Sequence, residues 1–203
     1  MLTRSIIIGL TGQTGAGKTT ISRVMQKLGC SIIDADKVAR GVVGSEECKK
    51  KLIGEFGSDI YSNGELNRRL LAKKAFSNKK STQRLNEITH PYILKEIKNY
   101  INELAYSGKD IIVVDAPLLF ESGMDSLCDK VVVVVSPVEV RANRIIKRDN
   151  ISRQEAELRI NAQNNQEYYT KRADYIIDGT NVNDKEIAIL IGELVEAVNV
   201  NKK

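Results

Sequence analysis

The chain has 203 residues, enough for one sizeable hydrophobic core, and its 31 basic and 26 acidic side chains leave a net charge of +5. This mild excess suits an anionic small molecule at least as well as a nucleic acid. No apolar run is long enough to cross a membrane, and the three cysteines are too widely spaced for a disulfide framework or a zinc site. We therefore expect a cytoplasmic protein with reduced thiols.

Five short apolar runs predict the strands of a parallel sheet. In chain order they are SIIIGL, SIIDAD, DIIVVDAP, DKVVVVVSP and ADYIID. The first, third and fourth are continuous rather than alternating, which is typical of strands buried on both faces of a sheet. Helical patterns such as TTISRVMQKLG lie between the runs. Alternating strands and helices predict an α/β, doubly wound fold.

A glycine-rich stretch, GQTGAGKT, follows the first predicted strand and opens the first predicted helix. It fits the pattern G-x-x-x-x-G-K-[ST], in which glycines let successive backbone N–H groups face a phosphate. Lys18 is expected to reach the outer phosphates, and the Thr19 hydroxyl to coordinate Mg²⁺. The stretch therefore predicts a nucleoside triphosphate site. The residues assigned to that site are Gly12, Gln13, Thr14, Gly15, Ala16, Gly17, Lys18, Thr19 and Thr20.

Acidic side chains end two of the predicted strands, the place where ligands bind in open α/β sheets. Asp34 and Asp36 follow the second strand, and Asp36 is our candidate general base for an acceptor hydroxyl. The alternative is that one of the two only caps the next helix, and we assign Asp34 mainly a structural or metal-shell role. Asp115 ends the third predicted strand and is a candidate for the metal shell.

Arginines cluster on the helix that follows the fourth predicted strand. Arg141, Arg144 and Arg148 are spaced to share one face, and a solvated basic face is the simpler interpretation. Because this helix lies close in sequence to a predicted nucleotide-binding strand, we interpret it as a lid whose arginines stabilise the transferring phosphoryl group. Arg159 and Gln163, on the next predicted helix, form a weaker pair of candidates.

Two capping patterns bound the helices of the predicted lid. SPVE predicts a helix capped by Ser136 with Pro137 at its first position. SRQE predicts a second capped helix, starting at Ser152, after a break at RDN.

Two segments interrupt the simple alternation of strands and helices. Residues 37–108 are charged and mostly helical in pattern, which predicts a helical insertion, and residues 138–172 form the predicted lid. The nucleotide-binding core would then comprise residues 1–36, 109–137 and 173–203. His90, the one histidine of the sequence, lies in the insertion, where we expect a structural role or a substrate contact.

Taken together, these stretches resemble the dephospho-coenzyme A kinase family. The resemblance extends from about Ile8 to Gly179. Its most specific motifs are DAD, the G-x-L-x-R-R that begins at Gly64, HP and PLLFE. The remaining matching stretches are GLTGQTGAGKTT, RIIKRD, RINAQ and ADYIIDG.

This resemblance implies a P-loop kinase fold of three layers, with a five-stranded parallel sheet, a helical CoA-binding insertion and a helical lid. It implies ATP-dependent phosphorylation of the ribose 3′-hydroxyl of dephospho-CoA, the last step of coenzyme A synthesis, with Mg²⁺. Asp36 would be the base, and Arg144 and Arg148 would be the catalytic lid arginines beside Lys18. The residues implied on the substrate side are Arg68 and Arg69, and we add His90 as a candidate substrate contact.

The sequence departs from the family pattern at two places that matter below. The loop reads GQTGAGKTT where the family often has GGIGSGKST, and Arg141 stands where the family usually has glutamine. The expected partners are ATP and dephospho-CoA, without nucleic acid or membrane, in a monomer or small homo-oligomer. The alternatives are another nucleoside or nucleotide kinase, and a nucleotide-dependent regulatory or RNA-associated module suggested by the net charge and by Lys49–Lys51.

Overall fold

The computed structural model describes residues 5–62 and 64–200, and the side chains of residues 5–62 and 64–198. Residues 1–4 and 201–203 of the predicted core, and residue 63 of the predicted insertion, lie outside the described residues. The strands are β1 (Ile6–Gly12), β2 (Ser31–Asp34), β3 (Tyr61–Ser62), β4 (Glu65–Leu66), β5 (Ile111–Asp115), β6 (Lys130–Val135) and β7 (Tyr175–Asp178). The α-helices are α1 (Lys18–Lys27), α2 (Ala35–Val42), α3 (Glu46–Phe56), α4 (Arg68–Ala75), α5 (Lys79–Tyr106), α6 (Val138–Asp149), α7 (Arg153–Asn161), α8 (Gln166–Thr170) and α9 (Asp184–Val200).

Five strands form one sheet in the order β2-β5-β1-β6-β7. β1 pairs in parallel with both β5 and β6, and β6 pairs in parallel with β7. All five strands fall where the apolar runs predict them, and neighbouring residues of β5 and β6 are buried on both faces of the sheet. The predicted α/β fold with a five-stranded parallel sheet is therefore confirmed.

One face of the sheet carries a continuous hydrophobic core. Ile8 and Leu10 of β1 lie in it with Val132 and Val134 of β6, and all four side chains are essentially buried. Helices α1 and α9 cover this face with Ile, Val, Met and Leu side chains. The β1–β6 core therefore holds the end of β1, from which the glycine-rich stretch emerges.

The chain divides into two compact units, residues 1–33 with 101–203, and residues 34–100. In the second unit, α3 is capped by Ser45 and α4 by Asn67, each accepting a hydrogen bond from a backbone N–H of the helix it caps. A two-stranded antiparallel hairpin, β3–β4, lies between these helices. The sequence pattern did not predict this hairpin, because strands of two residues are too short to show an alternating pattern.

Helices α6, α7 and α8 occupy the predicted lid. α6 and α7 pack together through Ala142 and Ile145 on one helix and Ala156 and Ile160 on the other. The predicted break lies between them, where Asn150 adopts a left-handed conformation with φ of 51°. No helix in the described part of the chain is both long enough and apolar enough to span a membrane.

The two predicted helix caps have different outcomes. The capping box of Ser152 and Glu155 is present with both of its hydrogen bonds, so that prediction is confirmed. The prediction that Ser136 caps α6 is wrong, because the helix begins at Val138 after Pro137. The Ser136 hydroxyl is buried and donates instead to the carbonyl oxygen of Ala16, 2.9 Å away.

Candidate active site

The phosphate loop, residues 12–19, leaves the end of β1 and enters α1 through two glycines in left-handed conformations. Gly15 has a φ of 78° and Gly17 a φ of 105°, values that side chains with a Cβ rarely adopt. A Cβ on Gly15 would lie 2.7 Å from the carbonyl oxygen of Arg141, and one on Gly17 would lie 2.9 Å from that of Gly179. Glycine is therefore required at both positions by conformation and by space.

Two arginines of α6 bind the carbonyl oxygens of this loop. Arg141 donates from Nε to the Thr14 carbonyl at 3.0 Å. Arg144 donates from Nη1 to the carbonyls of Gly15 and Ala16 at 3.2 and 3.1 Å. Because the C=O and the following N–H of a trans peptide point in opposite directions, these contacts turn the N–H groups of Gly15, Ala16 and Gly17 away from the two arginines.

Four backbone N–H groups around the start of α1 form a candidate anion site. Those of Gly15, Gly17, Lys18 and Thr19 donate to no acceptor among the described residues. Gly17 is the N-cap residue and offers no side chain to the helix end. Free N–H groups at a helix N-terminus, together with its positive dipole end, bind phosphate and similar anions.

Lys18 and Asp115 form an ion pair beside this anion site. The Lys18 ammonium contacts Asp115 Oδ1, and their side chains are 16% and 14% exposed. Asp115 ends β5, and Lys18 is the first residue of α1. The predicted phosphate-binding cation and the predicted metal-shell acid are thus brought together in the structure.

The loop is also tied to the connection between α7 and α8, residues 162–165. The Thr14 N–H donates to Gln163 Oε1 at 2.8 Å, and Gln13 Nε2 donates to the Asn164 carbonyl at 2.8 Å. Gln163 was only a weak candidate in the sequence, and Asn164 was not predicted at all. Both contacts cross about 150 positions of the chain, so local patterns carry no signal for them.

Arg141 is the most deeply buried charge next to the loop. Its side chain is 2% exposed, Nη1 donates to Gln13 Oε1 at 2.7 Å, and Nη2 is buried without a partner in the described ranges. Burial lowers the pKa of the Arg141 guanidinium. Gln13 and Arg141 both depart from the family pattern, and they are in direct contact.

Glu121 follows β5 and accepts two hydrogen bonds next to this region. The Tyr169 hydroxyl donates to Glu121 Oε1 at 3.0 Å, and Asn164 Nδ2 donates to the same oxygen at 3.1 Å. Burial, with the nearby Glu121 carboxylate, raises the pKa of Tyr169 well above its usual value. These contacts extend the network from the loop to α8.

The arginines of α6 do not share one environment. Arg144 also donates to the carbonyl of Gly179 at 2.8 Å, whereas Arg148, near the end of the helix, is exposed and bonded to Asp149 at 2.7 and 2.9 Å. Arg159 of α7 contacts the same carboxylate. Hydrogen bonds from Arg148 and charge from both arginines hold the pKa of Asp149 below its usual value.

In the unit formed by residues 34–100, the two acids of the DAD motif have different roles. Asp34 caps α2 by accepting a hydrogen bond from the Lys37 N–H at 3.0 Å. Asp36 lies in the first turn of that helix and is exposed. Of the two alternatives left open by the sequence, the capping role therefore belongs to Asp34.

Asp36 lines a cavity of about 430 Å³ within this unit. Arg40, Arg68 and Thr89 supply its other polar groups, and Arg68 Nη2 donates to the Arg40 carbonyl at 3.0 Å. Apolar side chains of α4 and α5 complete the wall. A carboxylate with two guanidinium groups at one opening suits an anionic substrate with a hydroxyl group.

The structure brings together some of the predicted substrate residues and not others. Asp36 and Arg68 line the same cavity, while Arg69 is exposed and, like His90, is not among the residues that line it. His90 is half-buried in α5, just before Pro91, and burial lowers its pKa. The roles of Arg69 and His90 stay predictions.

The comparisons with known proteins agree with one another. The family model described as dephospho-CoA kinase matches residues 6–186. The dephospho-CoA kinase of Carboxydothermus hydrogenoformans is 46% identical over 176 residues, 86% of this chain and 85% of that protein. That of Fusobacterium nucleatum is 41% identical over 175 residues, 85% of this chain and 89% of that protein.

A solved structure leads to the same family. The dephospho-CoA kinase from Campylobacter jejuni is 29% identical and superimposes with a TM-score of 0.69, over 94% of this chain and 98% of that one. The predicted P-loop kinase fold and family resemblance are thereby confirmed. This chain belongs to the dephospho-CoA kinase family, a family of enzymes that catalyse the final step of coenzyme A biosynthesis.

Proposed function

We propose that this chain transfers the γ-phosphoryl group of ATP to the ribose 3′-hydroxyl of dephospho-CoA. The observation that carries the proposal is the phosphate loop, in which two arginines bind carbonyl oxygens and the N–H groups of Gly15, Gly17, Lys18 and Thr19 donate to no acceptor among the described residues. Phosphoryl transfer depends mainly on positioning and on stabilisation of charge, which such a loop supplies.

The proposed acceptor chemistry rests on Asp36. Its carboxylate would orient the 3′-hydroxyl and accept the proton as the oxygen bonds to phosphorus. Of the two acids of the motif, Asp36 lines the cavity and Asp34 caps α2. Arg68 would bind anionic groups of the acceptor in the same cavity, and Arg69 and His90 are proposed as further substrate contacts.

Thr19 and Asp115 fit a Mg²⁺ ion brought in with the nucleotide. Both offer oxygen atoms, which Mg²⁺ prefers, and the ion is usually bound through one or two protein groups, phosphate oxygens and water. The described residues contain no cluster of three or more His, Cys, Asp and Glu side chains able to hold a metal without such help. When bound, Mg²⁺ supplies positive charge to the phosphate oxygens.

Two of the remaining cations are proposed to contact phosphate groups directly, and a third is proposed to act through the loop. Lys18 would bind the outer phosphates after leaving Asp115, and Arg148 would stabilise charge on the transferring group after leaving Asp149. Arg144 would act from the other side of the loop, through its carbonyl contacts.

We further propose that residues 138–172 act as the lid and residues 37–108 as the CoA-binding insertion, in a cytoplasmic monomer or small homo-oligomer.

The test is release of ADP from Mg²⁺-ATP with a panel of acceptors. We expect turnover with dephospho-CoA and none with its 3′-deoxy analogue, which lacks the accepting hydroxyl. Coenzyme A, which already carries a 3′-phosphate, and common nucleosides serve as further controls. Equal turnover without an acceptor, or stimulation by RNA, would show that the proposal is wrong.

A further inference from the structure

We propose that Arg141 and Gln13 form a positioning pair that ties the phosphate loop to the α7–α8 connection, residues 162–165. The pair would keep the loop in its phosphate-binding shape before the nucleotide arrives. The inference rests on the proposed ATP site, and it gives these two residues the role of holding the loop rather than of touching the reacting atoms.

The first step is the fork made by the Arg141 guanidinium. Nε donates to the Thr14 carbonyl at 3.0 Å, and Nη1 donates to Gln13 Oε1 at 2.7 Å. A guanidinium is planar, so it holds two acceptors in one fixed relative position. Thr14 and Gln13 are consecutive loop residues, and the fork therefore fixes both the backbone and a side chain of the loop.

The second step is the orientation of the Gln13 amide. Arginine can only donate, so the atom that faces Arg141 must be the amide oxygen. The amide nitrogen is then directed at the Asn164 carbonyl, to which it donates at 2.8 Å. Beside it, the Thr14 N–H donates to Gln163 Oε1 at 2.8 Å. Arg141 thus determines how Gln13 reaches the connection.

The third step is the environment of the arginine. Its side chain is 2% exposed, it has no ion-pair partner in residues 5–62 and 64–198, and its Nη2 is buried without a hydrogen bond there. A buried, unpaired cation destabilises a fold, and an apolar side chain of similar length would avoid that penalty. Methionine could not make the two directional hydrogen bonds by which Arg141 contacts the loop.

The test is a double-mutant cycle on ATP affinity with R141M, Q13A and the double variant, followed by calorimetric titration. We expect each single change to raise the Kd for ATP roughly tenfold, and the double change to raise it little beyond that, because coupled neighbours are not additive. R141K keeps the charge but not the fork and should bind ATP as weakly as R141M. R23M, at an exposed arginine of α1, is the matched control and should bind like the parent.

A second measurement separates positioning from general destabilisation. In both R141M and Q13A, amide hydrogen exchange should increase in residues 162–165 while the β1–β6 core stays protected. Kd values that multiply in the double variant, an R141K that binds like the parent, or unchanged exchange in residues 162–165 would each overturn the inference. If R141M does not fold, Q13A and its exchange profile decide the matter. A parent protein that fails to bind ATP would instead refute the proposed function.

Discussion

The ion pair of Lys18 with Asp115 should compete with ATP for the same ammonium group, and D115N tests this competition. Both side chains are mostly buried, at 16% and 14% exposed, so the pair is screened little by solvent. A hydrogen bond to a charged group contributes about 1.5–3 kcal/mol. Since the pair keeps some contact with water, we take the lower end, about 1.5 kcal/mol, which corresponds to a roughly tenfold change in an equilibrium constant.

Asparagine keeps the shape of Asp115 and removes its charge. Because D115N removes the ion pair of the ligand-free protein, it should lower the free energy of unfolding without ligand by about 1.5 kcal/mol. It should also tighten the binding of ATP in EDTA roughly tenfold, because ATP no longer has to break the ion pair in order to bind Lys18. Urea unfolding and calorimetric titration measure the two quantities independently, and they should agree.

In the presence of Mg²⁺, the same substitution should impair turnover rather than favour nucleotide binding. If Asp115 belongs to the metal shell, D115N should need a higher Mg²⁺ concentration for half-maximal turnover, although it binds metal-free ATP more tightly. D110N, at an exposed aspartate just before β5, is the matched control. A D115N protein that is less stable but binds metal-free ATP like the parent would show that the ion pair persists in the nucleotide complex.

Two further predictions address the unit formed by residues 34–100. D36N should lower kcat by roughly 10²–10⁴-fold with the Kd for ATP nearly unchanged, and an unchanged kcat would remove Asp36 from the role of base. Burial lowers the pKa of His90 below its usual 6.5, so the unfolded chain binds this proton more readily and stability should fall as the pH drops below about 6.5. Because glutamine does not titrate, the Tm of H90Q should fall less than that of the parent when the pH is lowered from 7.5 to 5.5. The same dependence of Tm on pH in both proteins would contradict the lowered pKa of His90.

The strands and one helix cap were predictable because their signals are local. Apolar runs mark strands that are buried on both faces, and the Ser152 capping box needs only a partner three residues away. Ser136 has the same local appearance as a cap, but its hydroxyl donates to Ala16, 120 positions away in the chain. A capping motif read from sequence therefore fails where a tertiary acceptor competes for the hydroxyl.

The sequence predicted individual residues of the site but not the long-range contacts between them. The loop motif specifies Lys18 and the glycines, because their backbone conformations leave few alternatives. The DAD motif left two roles open for two acids, and the helix start at Ala35 settles that Asp34 is the cap. The contacts of Gln13 with Asn164 and Arg141 depend on which segments the fold brings together, which no spacing in the sequence encodes.

The three arginines of α6 show why a shared face does not mean a shared role. Their spacing places them on one side of the helix, but burial falls from Arg141, which is 2% exposed, through the partly buried Arg144 to the exposed Arg148. Each of the first two donates to at least one loop carbonyl and so helps to hold the loop backbone. Within the described ranges, Arg148 is the one of the three that is held by a carboxylate, the side chain of Asp149, which a phosphate could replace. Among these three, Arg148 is therefore the arginine best able to exchange its present partner for a transferring phosphoryl group.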